Sequence, residues 1–388
     1  MKIGLISSEI PPKINAGSVR MESFIEYWKE NKGIELFIYT EKNNKKNIDF
    51  GKNVHIINSY FRRASNKNNI IIRVLSEIVL AIDIFFGLLK DKMDTYFVSS
   101  PSFLLLISVL IASKIKRTPY IVDIRDIYPQ VIFDNNIINK NSYIGKFLVN
   151  IEKKIYDNAS KIITVTKGLK NHIEEKTKTK VYLIRNGMDN NLFNNNYKSN
   201  KSRNKDFIIM FHGTLGRSQN IDLIIKYANY LKNNKIKDIK IWIIGDGPKK
   251  EKIINSINKL NLENNLIFHG FKDISQIPSY INSADIGFSP RKNGLINETA
   301  FPVKVYEYMG CGIPCIITPI SEAGIFVEKN NIGFQLENNN IKSLHKYVLK
   351  FKNNKNLYNQ YSINALKTSK QFERSKLAKR VYEIIMEE

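Results

Sequence analysis

Cysteine is nearly absent from this chain: Cys311 and Cys315 are the two in 388 residues. So few exclude a disulfide framework and fit a reducing compartment. No histidine stands near the pair in sequence, so metal-ligand spacing is missing and both read as packing residues. Long apolar runs are missing as well. Residues 74–90 are interrupted by Glu77 and Asp83, which makes them an amphipathic or core helix. Residues 97–113 carry no charge, but Pro101 and the serines Ser99, Ser100 and Ser102 break them. Their unbroken part, 103–112, is too short to span a bilayer, which takes ~20 apolar residues. A buried strand followed by a buried helix accounts for it better. The opening MKIGLISSEI turns polar too soon for a signal peptide and reads as a first strand. A repeat of solenoid period is absent.

Acids are scarce too. The chain has 36 Asp and Glu against 60 Lys and Arg, a formal charge of +24. Such an excess suits nucleic acid or an anionic membrane. Basic motifs interleaved with aromatics are absent, which argues against nucleic acid as a partner. Lys, Asn and Ile are abundant together, a pattern that AT-rich coding bias produces without any binding. The remaining use is the inner face of the cytoplasmic membrane, where each nearby Lys or Arg adds ~1 kcal/mol of attraction to anionic lipid. The expected location is cytoplasmic and peripheral to that membrane.

What the chain does have is alternation. Its 43% hydrophobic content is that of a soluble globular protein, and its length allows two domains with separate cores. Strand-like runs fall at 3–7, 35–40, 55–58, 96–99, 120–123, 161–164 and 181–184. Helical periods such as 18–31 and 144–158 lie between them. A polar, Asn- and Lys-rich stretch at about 190–205 interrupts the rhythm, which restarts at 207–212, 240–244, 266–269, 285–289 and 314–318. The last ~48 residues read mainly as helix. The expected fold class is α/β, two doubly wound Rossmann-like domains facing across a cleft. The expected boundaries are 1–188, 189–370 and a closing helix, 371–388, that packs back on the first domain.

Chemistry concentrates where strands give way to helices. NETAFPVKVYEYMGCGIPCIIT, 297–318, places Glu307 one turn into a short helix that opens after Pro302. The helix start at Val303 and Lys304 aims N–H groups at whatever precedes it, which suits a diphosphate. A carboxylate one turn further in can accept hydrogen bonds from a ribose diol. Lys304 and Glu307, three apart, share a helix face, and a surface pair there is worth only a few tenths of a kcal/mol, roughly 0.2–0.5. The loop Asn297–Thr299 can meet a sugar.

Four other segments carry candidates. SSEIPPKINAGSVR puts Gly17 and Ser18 at the first helix start, either to hold phosphate or sugar or as an ordinary capped turn. IVDIRDIYP clusters Asp123, Arg125 and Asp126 after a strand, either toward a ligand or as a structural Asp–Arg pair with a cap. FHGTLGRSQN opens the second domain: Gly213 and Gly216 keep the loop bare, and Arg217 is a bidentate anion donor. His212 there reads as a strand-end residue rather than a catalyst. IIGDGP is a glycine turn containing Gly245, with no completed G-x-G-x-x-G. FHGFK closes the next strand, where the bare Gly270 and Phe271 can edge a nucleobase or simply turn.

Together these segments resemble glycosyltransferase family 4, of the GT-B fold. The resemblance runs over nearly the whole chain and is densest in FHGTLGRSQNID, IIGDGPKKEKI, HGF, INSADIGFSP and FPVKVYEYMGCGIPCI, with Pro11–Arg20 and RDIYP in the first half. Within the family the chain looks most like the N-acetyl-L-fucosamine-type transferases of O-antigen and capsule assembly. The resemblance implies retaining transfer from a UDP-sugar to a lipid-linked (polyprenyl diphosphate) saccharide, with no cofactor and no essential metal.

The resemblance also implies roles. Glu307 matches the second Glu of an E-x7-E motif and holds the donor ribose. Thr299 stands where the first Glu is expected, with Glu298 one place off. Thr214 stands at a usual Arg position and Gln219–Asn220 near a usual Lys, so Arg217 and Lys304 supply the positive charge. Arg125 stands where many members have His, with Asp126 beside it as the residue that orients the acceptor. The expected catalytic set is Asp126, Arg125 and Arg217. A UDP-sugar 2-epimerase shares the architecture but needs a hydrolytic acid/base set that finds no counterpart here. A basic nucleic-acid-binding protein is the reading from charge alone.

Overall fold

The computed structural model describes residues 1–13, 15–42, 49–64, 69–134, 137–196 and 206–387. They form two compact units: Met1–Asn186 with Arg374–Glu388, and Gly187–Glu373.

The first unit holds strands β1 (Lys2–Ile6), β2 (Glu35–Thr40), β3 (Val54–Asn58), β4 (Thr95–Ser99), β5 (Tyr120–Ile124), β6 (Lys161–Thr164) and β7 (Val181–Leu183). They pair in parallel in the order β3-β2-β1-β4-β5-β6-β7. β4 and β5 are buried at every residue, as strands covered by helices on both faces must be. Asn15 caps the Ala16–Lys29 helix, its Oδ1 accepting from the Ser18 N–H at 2.8 Å. That helix buries Phe24 and Trp28, whose rings stack at 5.5 Å and meet Phe97 of β4 edge-on. The closing helix, Arg374–Met386, packs on the Ala16–Lys29 helix and adds Val381 and Ile384 to the same core.

The segment at 97–113 is a buried strand and then a buried helix, as its composition indicates. β4 ends at Ser99, and the Phe103–Lys116 helix starts with Ser102 Oγ accepting from Leu105 N–H. The helix expected from residue 74 starts a turn earlier, at Ile70, with Asn69 as its cap.

The second unit holds β8 (Phe207–His212), β9 (Ile239–Ile244), β10 (Leu266–Gly270), β11 (Ile286–Pro290), β12 (Cys315–Thr318) and β13 (Gly333–Gln335). The order is β10-β9-β8-β11-β12-β13, again parallel. β12 starts one residue later than the sequence suggests, because Pro314 has no N–H to give the ladder. Edge strand β13 was not expected. It is three residues long, and its Gly333 lies so close to β12 that a Cβ would meet the Cys315 carbonyl oxygen. Cys311 and Cys315 are free thiols in this core, and burial holds the Cys315 thiol protonated.

Candidate functional site

In the second unit the strand order reverses between β8 and β11, and the crevice beyond their carboxyl ends is where such sheets take ligands. The loop after β8, 213–220, is tied across this point. Asn220 N–H donates to the Pro290 carbonyl at 3.0 Å, and Lys292 N–H to the Ser218 carbonyl at 2.9 Å. Gln219 and Arg291 form an antiparallel bridge. Lys249 Nζ donates to the Gln219 carbonyl at 2.6 Å, fixing the loop from the β9 side.

The Val303–Gly310 helix brings its charged face onto the end of β8. Lys304 Nζ lies 3.8 Å from the centre of the Phe211 ring and 3.5 Å from Gln219 Oε1. A Cβ at Gly213 would lie 3.7 Å from the same Nζ, in ordinary contact. Glu307 Oε2 lies 3.4 Å from His212 Nε2. Phe211, His212, Lys304 and Glu307 are buried and Gln219 half-buried, so the Lys304–Glu307 pair is not the surface pair its spacing suggests. Burial, then the charge of Lys304, lowers the His212 imidazole to about 3, which leaves it neutral at ordinary pH. Burial, then the charge of Arg291, lowers the Lys304 ammonium to about 7, with Glu307 opposing. The crevice thus holds a lysine whose ammonium is disfavoured by burial, with Glu307 and the cation Arg291 close by. A nearby anion favours the charged form of a lysine.

A pH dependence follows. Between pH 7 and 10.5 the unfolded chain binds the Lys304 proton and the folded chain does not, so this residue's contribution to stability rises with pH across that window. An anionic ligand reverses the deprotonation. At pH 8.5 UDP should bind with uptake of about one proton in the wild type and none in Lys304→Met. Calorimetry in buffers of differing ionisation enthalpy measures this, and equal uptake in both proteins would remove Lys304 from the anion's surroundings.

The other expected residues fall into three groups. Gly213, Gly216, Thr214 and Arg217 occupy the β8 loop, with Thr214 and Arg217 exposed. Gly270 takes φ +69° with open space where a side chain would be, and Phe271 after it is exposed. Pro302 and Val303 open the helix, Thr299 is half-buried, and Glu298 accepts from Gly294 N–H at 3.1 Å. Gly245 differs from its expectation. At φ +144° a Cβ there would meet the Gly213 carbonyl oxygen at 2.0 Å, so its bareness accommodates the protein's own loop. Arg291 was not singled out from sequence. Its Nε donates to Asn297 Oδ1 at 2.8 Å, and its position directly after β11 is the signal that could have found it.

In the first unit, Gly17 faces Arg125: a Cβ at Gly17 would meet the Arg125 Nη1 at 2.3 Å. Arg125 donates from Nε and Nη2 to the Ser100 carbonyl, and its own N–H donates to Ser100 Oγ at 2.8 Å. Gly17 therefore makes room for a guanidinium, where a bare phosphate-binding backbone was expected. Ser18 is buried and Asp126 exposed. Asp123 pairs with Arg20, not with Arg125, through Arg20 Nη2 at 2.9 Å and Nε at 3.2 Å.

Residues 193–368 match the family model described as glycosyl transferases group 1. Over 252 residues the chain is 27% identical to an uncharacterised glycosyltransferase of Methanocaldococcus jannaschii, covering 64% of this chain and 65% of that one. Over 143 residues it is 26% identical to the UDP-Gal:alpha-D-GlcNAc-diphosphoundecaprenol alpha-1,3-galactosyltransferase of Escherichia coli, covering 36% of this chain and 35% of that one. The chain thus spans less than two thirds of the length of these relatives. Among solved structures, sucrose-phosphate synthase from Thermosynechococcus elongatus aligns over 99% of this chain and 98% of that one, with a TM-score of 0.78 at 14% identity. At such identity the likeness speaks to fold: two parallel-sheet Rossmann-like units of the GT-B class.

Proposed function

We propose that this chain is a retaining glycosyltransferase of family 4, moving a sugar from a UDP-sugar to a lipid-linked saccharide during surface polysaccharide assembly. The observation that carries the reading is the buried Lys304–Glu307 face set over the end of β8 at the point where the strand order reverses. Glu307 accepts from the ribose diol. Lys304, Arg217 and the helix start at Val303 hold the diphosphate and stabilise the charge that gathers on it as the anomeric C–O bond breaks. The leaving phosphate then helps to deprotonate the acceptor, which Asp126 orients. The donor is an N-acetylated hexosamine or deoxyhexosamine, as in the N-acetyl-L-fucosamine-type transferases of O-antigen and capsule. The Escherichia coli relative is named for a UDP-linked donor and an undecaprenol-linked acceptor, which supports the same substrate classes here. An acceptor of that kind places the enzyme at the inner membrane face. The epimerase alternative draws no support from a group 1 transferase segment.

The test is direct. UDP at 100 times its Kd should stabilise the protein by ~2.7 kcal/mol, read as a rise in melting temperature. A panel of UDP-sugars should then show one donor from which UDP is released. No stabilisation by UDP, together with steeply salt-dependent DNA binding, would overturn the reading in favour of a nucleic-acid partner.

A further inference from the structure

We propose that His212 is a positioning residue: its imidazole carries its one proton on Nε2 and holds the Glu307 carboxyl group in the orientation that accepts from the donor's ribose. The inference rests on the proposed UDP-sugar reading and adds to that site a residue that acts through Glu307 rather than on the substrate. His212 is the last residue of β8. Ile208 and Met210 before it pack into the core shared with Val305, Tyr308 and Met309 of the Val303–Gly310 helix. Alternation along the strand sends His212 to the same face. There its Nε2 lies 3.4 Å from Glu307 Oε2.

A packing role alone would suit phenylalanine better. His212 is buried, and its Nε2 has no hydrogen-bond partner among the described residues. Leaving a buried polar atom in that condition costs free energy, so its presence asks for a reason. The carboxyl group is the polar group at hand, and a small rotation of it closes the pair. The ring is braced from the side. Tyr308 meets it edge-on, with centres 5.1 Å apart and planes at 87°, and the Tyr308 hydroxyl donates to the Met210 carbonyl at 3.0 Å. A braced ring beside a carboxyl group fixes the direction in which the carboxyl oxygens point.

The surroundings also choose the tautomer. Burial, then the charge of Lys304, keeps the imidazole neutral, so it has one N–H to place. On Nε2 that proton faces Glu307. On Nδ1 it would leave an imidazole lone pair against the carboxyl oxygens. Ser289 favours the first arrangement. The register sets Ile286 beside Ile209 and Gly287 beside Met210, and two residues further along it Ser289 comes beside His212 on the same face. The Ser289 hydroxyl is fully buried and also has no hydrogen-bond partner among the described residues. It is a donor within a side chain's reach of an unprotonated Nδ1.

The experiment is titration calorimetry of His212 variants with UDP and 2′-deoxy-UDP, joined to nitrogen NMR of the isotope-labelled imidazoles. His212→Gln sets an amide donor near the Nε2 position and should bind UDP within about 3-fold of the wild type. His212→Asn reaches only the Nδ1 position, and His212→Phe keeps a ring without a donor. Each should weaken UDP about 10-fold and lose most of the preference over the deoxy ligand. In a Glu307→Gln background His212→Phe should weaken UDP by less than about 3-fold, because its effect passes through Glu307. In the wild type, His212 should be protonated on Nε2, and UDP should displace that signal while 2′-deoxy-UDP leaves it in place. This last measurement is made on the wild type, so it decides the matter even where His212→Phe fails to fold. Full UDP binding by His212→Phe, binding as weak in His212→Gln as in His212→Phe, equal losses in both Glu307 backgrounds, or a proton on Nδ1 each overturns the inference and leaves the proposed function standing. A wild type that binds no UDP overturns the proposed function and this inference with it.

Discussion

Glu307→Gln should weaken UDP binding about 10- to 100-fold and erase most of the preference for UDP over 2′-deoxy-UDP. The carboxylate sits one turn inside the Val303–Gly310 helix, buried, and 3.4 Å from an imidazole that stays neutral. Its other close charge is Lys304, three residues earlier on the same face. Glu307 therefore meets a ligand as a desolvated carboxyl group. A ribose diol offers it O–H donors, and hydrogen bonds to a charged group contribute ~1.5–3 kcal/mol. Gln keeps the shape and loses both the charge and one acceptor, so the loss is chemical rather than steric. The deoxy ligand isolates the contact, because it lacks one of the two hydroxyls in wild type and variant alike. Titration calorimetry of both ligands on both proteins makes a thermodynamic cycle. If the substitution weakens UDP and 2′-deoxy-UDP by the same factor, Glu307 does not hold the ribose. A second effect is expected from the same change. Without Glu307 nothing in that pair opposes the lowering of Lys304, so the lysine proton is held less tightly and the variant's affinity falls at lower pH than the wild type's.

The strands were legible in the sequence wherever they are buried on both faces. β8 reads FIIMFH and β5 reads YIVDI, and neither pattern competes with a surface helix. β13 escaped because Gly-Phe-Gln is too short to carry a period; it is a strand because Phe334 packs in the second unit's core and Gly333 lets the backbone close on β12. At the site, the Lys304–Glu307 spacing was visible but its burial was not. Two charges three apart on a helix are ordinarily solvated, and only the seating of Lys304 on Phe211 reverses that expectation. Arg291 was passed over for a related reason: its partners, the Gln219 backbone and Asn297, come from the loop after β8 and from the short helix Leu295–Glu298. Glycines misled in one direction. Gly17 and Gly245 signal close approach, as glycines often do, but what approaches is Arg125 in one case and the Gly213 carbonyl in the other. Sequence marks the need for space and does not say who fills it.

Asp123→Ala should cost about 3–5 kcal/mol and unfold the first unit well before the second. Asp123 is fully buried and Arg20 nearly so. The guanidinium spends its donors on Asp123 at 2.9 and 3.2 Å, on the Ile184 carbonyl at 3.1 Å and on the Arg185 carbonyl at 3.1 Å, and its flat face lies 4.9 Å from the Phe24 ring. Asp123 Oδ2 also accepts from Ser99 Oγ at 3.0 Å. One ion pair thus ties the Ala16–Lys29 helix to the ends of β4 and β5 and to the segment after β7. Removing the carboxylate leaves a buried cation with no counter-charge, whereas replacing both partners removes the desolvation cost along with the attraction. The double variant Arg20→Met/Asp123→Leu should therefore recover much of what Asp123→Ala loses. In a urea titration the single variant should move an early transition to lower denaturant, while the transition that UDP shifts stays in place, because the crevice of Lys304 and Glu307 belongs to the other unit. A loss below about 1 kcal/mol would place this pair among ordinary surface bridges and return Arg20 and Asp123 to the candidates for ligand contact. A loss of the expected size explains why an arginine stands three residues after Gly17: it anchors the helix whose start must clear Arg125.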